Sequence, residues 1–189
     1  MPRRGLDRAR VVSAAASIAD TDGLEAVTLA RVAADLGVRP PSLYVHVGGL
    51  GALRREIAVL GLRELAAAMR EAAVGRSGEV ALSAVAEAYR GYALGHPGRY
   101  AATVRAPDAD DDELAAAAAD AVGVLAAVLR EWGLEGDDAI HAVRGIRAAL
   151  HGFAAVERTG GFALEASVDE SFARLVATLA AGLRYSPSE

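Results

Sequence analysis

The chain has 189 residues, of which 53% are hydrophobic, 5% are aromatic and none is cysteine, and its formal net charge is −5. This length suffices for one or two small domains with hydrophobic cores, and the absence of cysteine excludes disulfides, thiolate chemistry and cysteine-based zinc sites. Alanine-rich runs such as residues 115–119 favour helix, so we predict an all-α fold of about nine helices.

The first two predicted helices have clear start and stop signals. The first begins at Asp7, whose carboxylate can cap free backbone amides, and ends at Gly23. The second begins at Thr28, another good N-cap residue, and ends at Gly37. Its apolar residues recur at the spacing of one helical face: Leu29, Val32, Ala33 and Leu36. Two short, well-capped helices therefore open the chain.

A third, very short helix is predicted over Pro40–Val47. Pro40 and Pro41 are tolerated only in the first turn of a helix, and Gly48-Gly49 ends it. Three short helices with a tight glycine turn before the third form a helix-turn-helix. We therefore predict that this third helix enters the major groove of double-stranded DNA.

The residues of the third helix divide into an inward and an outward set. Leu43 and Val47 are four residues apart and can pack beneath Val32 and Leu36. The outward residues predicted to face DNA are Ser42, Tyr44 and His46, with Arg39 at the start of the helix and Val45 able to meet a thymine methyl group. The alternative is that Tyr44 packs at a domain edge and His46 is an ordinary surface residue.

Six further helices are predicted, and the second of them is followed by a break at His96-Pro97-Gly98. They cover about Gly51–Val74, Ser77–Gly95, Arg99–Val104, the acidic run after a loop at Ala106–Asp108 to Trp132, Gly136–Thr159, and Ser167 or Asp169 to Arg184. The predicted domains are a helix-turn-helix domain at residues 1–50 and a helical ligand-binding and dimerisation domain at residues 51–189.

The charge distribution agrees with this division. Residues 1–70 carry ten arginines against seven carboxylates, whereas residues 71–189 carry ten arginines against eighteen carboxylates. A basic N-terminal part on an acidic body is typical of a DNA-binding head joined to a sensor domain. Chance asymmetry in an arginine-rich chain is the alternative.

The two C-terminal helices carry apolar stripes that suit a dimer seam. Apolar residues recur at three- and four-residue steps in both: Ile140, Val143, Ile146, Leu150 and Phe153 in one, and Phe172, Leu175, Val176 and Leu179 in the other. Two such helices from each subunit can form a four-helix seam. Alternatively, both stripes face the core of their own subunit.

Aromatic and imidazole side chains in the body are candidates for an effector cavity. The set consists of Tyr89, Tyr92, His96, Tyr100 and Trp132, which combine apolar bodies with polar tips. Ordinary core or edge packing is the alternative. Glycines inside the predicted helices indicate close helix packing or room for a ligand: Gly91, Gly95, Gly123, Gly145 and Gly152.

No pattern indicates catalysis. His141 and His151 are ten residues apart and do not share a helical face, so they do not form a metal pair. The acidic run from Asp108 to Glu113 lacks the spacing of a calcium loop and suits a helix N-terminus. We expect no catalytic residue, no metal and no cofactor, and therefore no enzyme.

The N-terminal region resembles the DNA-binding domain of the TetR family. The resemblance covers roughly residues 7–60 and is carried by TLARVAADLGV at 28–38 and PSLYVHV at 41–47. It implies phosphate contacts for Thr28, Tyr44 and His46, and base contacts for Arg39, Pro40 and Ser42. The family's lysine after the third helix is missing, because Gly48-Gly49-Leu50 stands there; Arg54 is the candidate substitute.

The body resembles the WHG-type C-terminal domain of TetR regulators. The residues that carry this resemblance are YRGYALGHPGRY at 89–100 and HGF at 151–153, with Leu150 where a tryptophan usually stands. It implies a homodimer that binds a palindromic operator and is released by a small-molecule effector.

The resulting hypothesis is a ligand-responsive repressor. Two alternatives remain open: an activator of the same family, and a helical small-molecule-binding protein that no longer binds DNA. No stretch approaches the ~20 apolar residues that span a bilayer, and the N-terminal residues lack the apolar core of a secretion signal. We therefore expect a cytoplasmic protein without a membrane partner.

Overall fold

The computed structural model describes residues 6–104 and 110–184, and these form eight α-helices, three short 3₁₀ segments and no β-strand. The predicted all-α fold is confirmed. The helices are α1 (Arg8–Asp22), α2 (Leu29–Leu36), α3 (Leu50–Ala73), α4 (Gly78–Gly95), α5 (Pro97–Ala102), α6 (Asp112–Leu129), α7 (Gly136–Arg158) and α8 (Val168–Leu183). The 3₁₀ segments are Leu24–Ala26, Pro40–Leu43 and Arg130–Trp132. None of the described helices has both the length and the hydropathy needed to cross a bilayer.

The caps of α1 and α2 follow the sequence signals. Asp7 accepts a hydrogen bond from the Arg10 amide at 2.8 Å, and Thr28 Oγ1 accepts one from the Arg31 amide at 3.2 Å. Gly37 ends α2 in the left-handed conformation, with φ of +67°. These local hydrogen bonds satisfy donors that a helix start leaves free, which is why short side chains suffice to set the boundaries.

The third segment of the helix-turn-helix is shorter than predicted. A 3₁₀ helix covers Pro40–Leu43 and continues as a turn, with the amides of His46 and Val47 both donating to the Leu43 carbonyl at 2.9 Å. Gly48-Gly49 follows after only eight residues, so few α-type hydrogen bonds can form, and the Ser42 amide donates to the Arg39 carbonyl at 2.9 Å in a 3₁₀ bond instead. The described residues therefore contain eight α-helices rather than the predicted nine.

Helix α5 begins two residues earlier than predicted, at Pro97. Asp20 of α1 explains the difference, because its carboxylate accepts hydrogen bonds from the amides of Gly98 at 3.0 Å and Arg99 at 2.9 Å. This cap comes from a distant part of the chain and leaves no local sequence signal. The predicted loop at Ala106–Asp108 lies outside the described residues.

The chain forms two compact units. The first comprises the described residues of Met1–Glu64 and Gly95–Ala118, and the second those of Leu65–Leu94 and Ala119–Glu189. The boundary at residue 50 proposed from the sequence differs from this division. The difference arises because α3 is continuous and its Leu53 and Ile57 are fully buried in the core of the first unit.

The core of the first unit is built from small aliphatic side chains. Its members are Val11, Val12, Ala15, Ala16, Ile18, Ala19, Val27, Val32, Ala33, Leu43, Val47, Leu53 and Ile57. Helix α5 packs very close to α1, since a Cβ atom at Gly98 would lie 2.0 Å from the Ala19 carbonyl carbon. Only glycine fits at this crossing.

The second unit contains a buried arginine that links three helices. Arg90 of α4 donates to both Glu157 carboxylate oxygens of α7, at 2.7 and 2.6 Å, and to Asp169 of α8 at 2.7 Å. Its guanidinium carbon lies 4.9 Å from the ring centre of Phe172 and 5.7 Å from that of Phe153. These carboxylates raise the pKa of Arg90 further above its ordinary value, so the charge is permanent.

Candidate DNA-binding surface

Two side chains anchor the reading segment, residues 39–47, to the first unit. Leu43 is completely buried and Val47 is 5% exposed, and both belong to the same core as Val32 of α2. Their spacing of four residues places both on the inner side of the turn. This agrees with the inward set expected from the sequence.

The remaining side chains of the reading segment face outward. Tyr44 is 61% exposed and Val45 is 83% exposed. Arg39, Pro40 and Ser42 are also exposed, whereas His46 is half-buried. These two neighbouring side chains form a small exposed apolar surface that is available to a partner. Most of the predicted reading residues are therefore accessible, and their contact with DNA stays a prediction.

Thr28 and Gly49 lie at the starts of the helices on either side of the reading segment. The Thr28 oxygen is engaged as an acceptor in its own cap, but its hydroxyl hydrogen can still be donated to a phosphate. Gly49 has φ of +111°, a conformation that L side chains rarely adopt. The turn before α3 thus needs glycine near the place where the TetR resemblance suggests a lysine.

Arg54, the proposed substitute for that lysine, is engaged inside the first unit. One of its guanidinium nitrogens donates to Glu25 at 2.9 Å and, more weakly, to the Leu24 carbonyl at 3.4 Å. A DNA phosphate has to compete with the Glu25 carboxylate for this charge. Sequence reasoning missed Glu25, since its partner lies 29 residues further along the chain.

Other arginines of the first unit are also paired with carboxylates. Arg31 of α2 pairs with Asp22 at the end of α1, and Arg8 pairs with Glu56. Arg55 binds both oxygens of Asp111. Several arginines of residues 1–70 are therefore neutralised by internal ion pairs, which reduces the positive charge available to DNA phosphates. The reading segment itself supplies Arg39 as an exposed cation.

The five candidate effector-binding side chains do not fall into one unit. Tyr89, Tyr92 and Trp132 belong to the second unit, where both tyrosines are buried and the tryptophan is half-buried. His96 and Tyr100 belong to the first unit, where His96 Nδ1 lies 3.4 Å from an Asp20 carboxylate oxygen. The proposed aromatic cavity thus remains a prediction.

Two grooves in the second unit offer space for small molecules. One, of about 410 Å³, lies among α3, α4 and α6 and carries Arg70, Asp120 and Glu131 at its edges. The other, of about 440 Å³, lies between α6 and α7 and has mainly apolar walls. Neither groove is lined by the five side chains above.

The helix glycines do not mark close packing within the subunit. A Cβ atom added at any of them would meet no other described atom within 4 Å: Gly91, Gly95, Gly123, Gly145 and Gly152. The expectation that they relieve crowding inside the subunit is therefore wrong. All five are exposed, and Gly123 lines both grooves, so the alternative of room for a ligand stays a prediction there.

The apolar stripes of α7 and α8 lie mostly inside the subunit. Val143, Ile146, Leu150, Phe172 and Val176 are all buried in the single chain. Phe153, Leu175 and Leu179 are half-buried, and Ile140 is 46% exposed. The buried members therefore serve the subunit's own core, and a dimer seam has to use the outer parts of these helices.

Comparison with known proteins identifies the family. The family model described as "Tetracyclin repressor-like, C-terminal domain" matches residues 82–179. The chain is 37% identical to the uncharacterised HTH-type transcriptional regulator YobS of Bacillus subtilis, over 96% of this chain and 95% of that protein.

Two solved structures have a similar fold. One is a possible TetR family transcriptional regulator from Streptomyces coelicolor A3(2), with a TM-score of 0.73 and 21% identity over 94% of this chain and 98% of that one. The other is a TetR variant from Acinetobacter baumannii AYE in complex with minocycline, with a TM-score of 0.73 and 21% identity over 96% of this chain and 100% of that one. The helix-turn-helix of the first unit and the matched C-terminal region together show that this chain belongs to the TetR family of DNA-binding transcriptional regulators.

Proposed function

We propose that this protein is a ligand-responsive repressor that binds a palindromic operator as a homodimer and is released by a small molecule. The observation that carries the DNA-binding part is the division of the reading segment. Buried Leu43 and Val47 hold it, while Tyr44 and Val45 project from it. Arg39, Pro40 and Ser42 supply the base contacts in this proposal, and Thr28, Tyr44 and His46 the phosphate contacts.

Dimerisation is supported by apolar surface on and after α7. Ile140, Val156 and Phe162 are 46%, 41% and 39% exposed, and Leu164 is 86% exposed. Exposed apolar side chains of this size favour burial against a second subunit. A two-fold dimer places two reading segments about 34–36 Å apart, which is one turn of the DNA helix.

Release by a small molecule is supported by the two grooves of the second unit and by the minocycline complex of a protein with a similar fold. The effector would bind one state of the protein more tightly than the other. In the released state, α3 would tilt so that both heads no longer fit the operator together. We propose that the protein acts by binding and catalyses no reaction.

One observation favours a second candidate function, a helical binding protein that no longer reads DNA. The turn before α3 carries glycines in place of a lysine, and Arg54 is paired with Glu25. Both features reduce the positive charge available to phosphates.

The experiment that separates the two is a gel shift on the DNA upstream of the protein's own gene, carried out over a range of salt concentrations. The repressor predicts specific binding that weakens steeply with salt, because phosphate contacts release counterions. Binding that does not distinguish this DNA from a scrambled duplex would favour the second candidate. A reporter strain without the gene separates repressor from activator by the direction of the change.

A further inference from the structure

An ionic cluster in the first unit joins three helices. It consists of Arg8, Arg55, Glu56, Asp111 and Glu113, and we call it the Arg55 cluster. Arg8 is the first residue of α1, Arg55 and Glu56 lie on α3, and Asp111 and Glu113 lie at the start of α6. These elements are far apart in sequence, so the cluster is a tertiary contact.

Arg55 is the centre of this cluster. Its Nε and Nη2 donate to the two oxygens of Asp111 at 2.6 and 2.5 Å. Its Nη1 donates to Glu113 and to Glu56, both at 3.0 Å. A guanidinium that binds one carboxylate with two parallel hydrogen bonds fixes orientation as well as distance.

Asp111 has a second role at the start of α6. Its Oδ1 accepts a hydrogen bond from the Leu114 amide at 3.0 Å and so caps the helix. The carboxylate that caps the start of α6 is thus the one held by Arg55, and its side chain is 14% exposed. A shift of the first turn of α6 would therefore displace Asp111 and, through its hydrogen bonds with Arg55, act on α3.

The other side of the cluster reaches α1. Arg8 Nε donates to Glu56 at 3.1 Å, and Arg8 also lies 3.9 Å from Glu113. Helix α1 packs in the same core as Leu43, the anchor of the reading segment. The first turn of α6 is thereby connected to α1, which shares a core with the anchor of the reading segment.

We propose that Arg55 is a positioning residue for DNA binding, which fixes the start of α6 to α1 and α3 so that these three elements move together. The inference rests on the proposed operator binding and adds a residue that does not touch DNA. In this proposal, the bidentate contact between Arg55 and Asp111 is the main link by which movement of the start of α6 reaches α1 and α3.

The first measurement follows the distance between α1 and α6 directly. Because the chain has no cysteine, spin labels can be placed at Ser13→Cys and Ala116→Cys, two exposed positions of the first unit. Labelled protein is diluted with unlabelled protein so that each pair reports on one chain. We expect a narrow distance distribution that broadens in Arg55→Gln and in Asp111→Asn, since asparagine keeps the helix cap but not the charge.

The matched control is Arg63→Gln. Arg63 lies two turns further along α3, is 60% exposed and touches only the edge of the cluster, through Glu113 at 3.1 Å. This variant removes the same charge from the same helix, and its distance distribution should stay narrow. Equal broadening in Arg63→Gln and Arg55→Gln would overturn the proposal.

The second measurement is operator affinity as a function of salt. We expect Arg55→Gln to bind about tenfold more weakly with an unchanged salt dependence. Loss of a phosphate contact would instead lower the slope by about one, and that result would make Arg55 a DNA contact and overturn its positioning role. Combining Arg55→Gln with Asp111→Asn should add little, because both variants break the same joint.

The two measurements keep the proposals apart. If the unchanged protein shows no specific binding, the proposed function fails, and the label distance alone still decides whether Arg55 holds α6. If operator affinity falls while the label distance stays narrow, the positioning role is overturned although DNA binding stands.

Discussion

Each of the two units contains an arginine that joins separate helices, but the surroundings of these two arginines differ. The Arg90 side chain is 9% exposed and lies against the rings of Phe153 and Phe172. The Arg55 side chain is 31% exposed, and Glu113, one of its partners, is 40% exposed. A buried, ring-flanked guanidinium makes a permanent joint, whereas a partly hydrated one can open at small cost. We therefore expect loss of the Arg90 contacts to lower the free energy of unfolding by more than loss of the Arg55 contacts.

The largest expected effect tests the permanence of the Arg90 joint. Arg90→Gln should destabilise the second unit by about 3 kcal/mol, because it leaves Glu157 without its charge partner in a mostly buried position. Urea unfolding followed by the fluorescence of Trp132, the single tryptophan of the chain, reports on this unit.

The matched control is Arg174→Gln on α8, whose pair with Glu170 is largely exposed. It should change the unfolding free energy by less than about 0.5 kcal/mol. Arg55→Gln should also lower the free energy of unfolding by less than Arg90→Gln does. An equal or larger loss for Arg55→Gln would reverse the contrast between the two joints.

The next largest effect concerns the other joint of the first unit, where α5 crosses α1. Gly98→Ala should destabilise by about 2 kcal/mol or more, since its Cβ would lie 2.0 Å from the Ala19 carbonyl carbon. Gly91→Ala, on an open face of α4, should instead stabilise by up to about 1 kcal/mol. Thermal unfolding followed by circular dichroism measures both, and changes of the same sign would contradict the close crossing.

A smaller effect on stability but a clear effect on binding is expected at the reading segment. Tyr44→Ala should leave the unfolding free energy within about 0.5 kcal/mol, because the side chain is mostly exposed. Operator affinity should fall about tenfold through the lost phosphate contact. Fluorescence anisotropy with labelled operator DNA measures the affinity. Unchanged affinity would remove Tyr44 from the interface.

The smallest effect is acid sensitivity of the Arg55 cluster. The hydrogen bonds from Arg55 lower the pKa of both Asp111 and Glu113. A lowered folded-state pKa stabilises the folded protein fully above the unfolded value of about 4, and this contribution is lost as the pH falls further. Stability profiles between about pH 6 and about pH 3 should therefore differ in slope between the unchanged protein and Asp111→Asn. Parallel profiles would contradict this.

The sequence predicted the elements whose signals are local. Asp7 and Thr28 set helix starts through side-chain hydrogen bonds, and Gly37 sets a helix end through its backbone torsion, so the residue types themselves predict these boundaries. The start of α5 was misplaced because its cap, Asp20, comes from another helix. The length of the third helix is wrong in the sequence prediction. Leu43 and Val47 lie on one side both in an α-helix and in the observed 3₁₀ segment with the turn after it, where a single α-type hydrogen bond joins them, so their spacing does not separate the two structures.

The candidate site shows the same division. The inward and outward residues of the reading segment follow from helical spacing, so the sequence was enough to separate them. The acidic run before α6 indicates a helix start favoured by the helix dipole, and α6 does begin there, but the role of Asp111 as its cap comes from the structure. Its bidentate contact with Arg55 spans 56 residues and carries no periodic signal. Long-range ion pairs of this kind need the fold before they can be seen.

The adjacent prolines that open the reading segment have a consequence for the thermodynamics of recognition. Each pyrrolidine ring holds its backbone torsion near one value, and Leu43 locks the end of the same turn in the core. Because few backbone torsions of this turn can still vary, the proposed binding to DNA would lose less conformational entropy than binding through a mobile loop. In the proposed function, this turn would therefore bind DNA as a preorganised segment and not by folding upon binding.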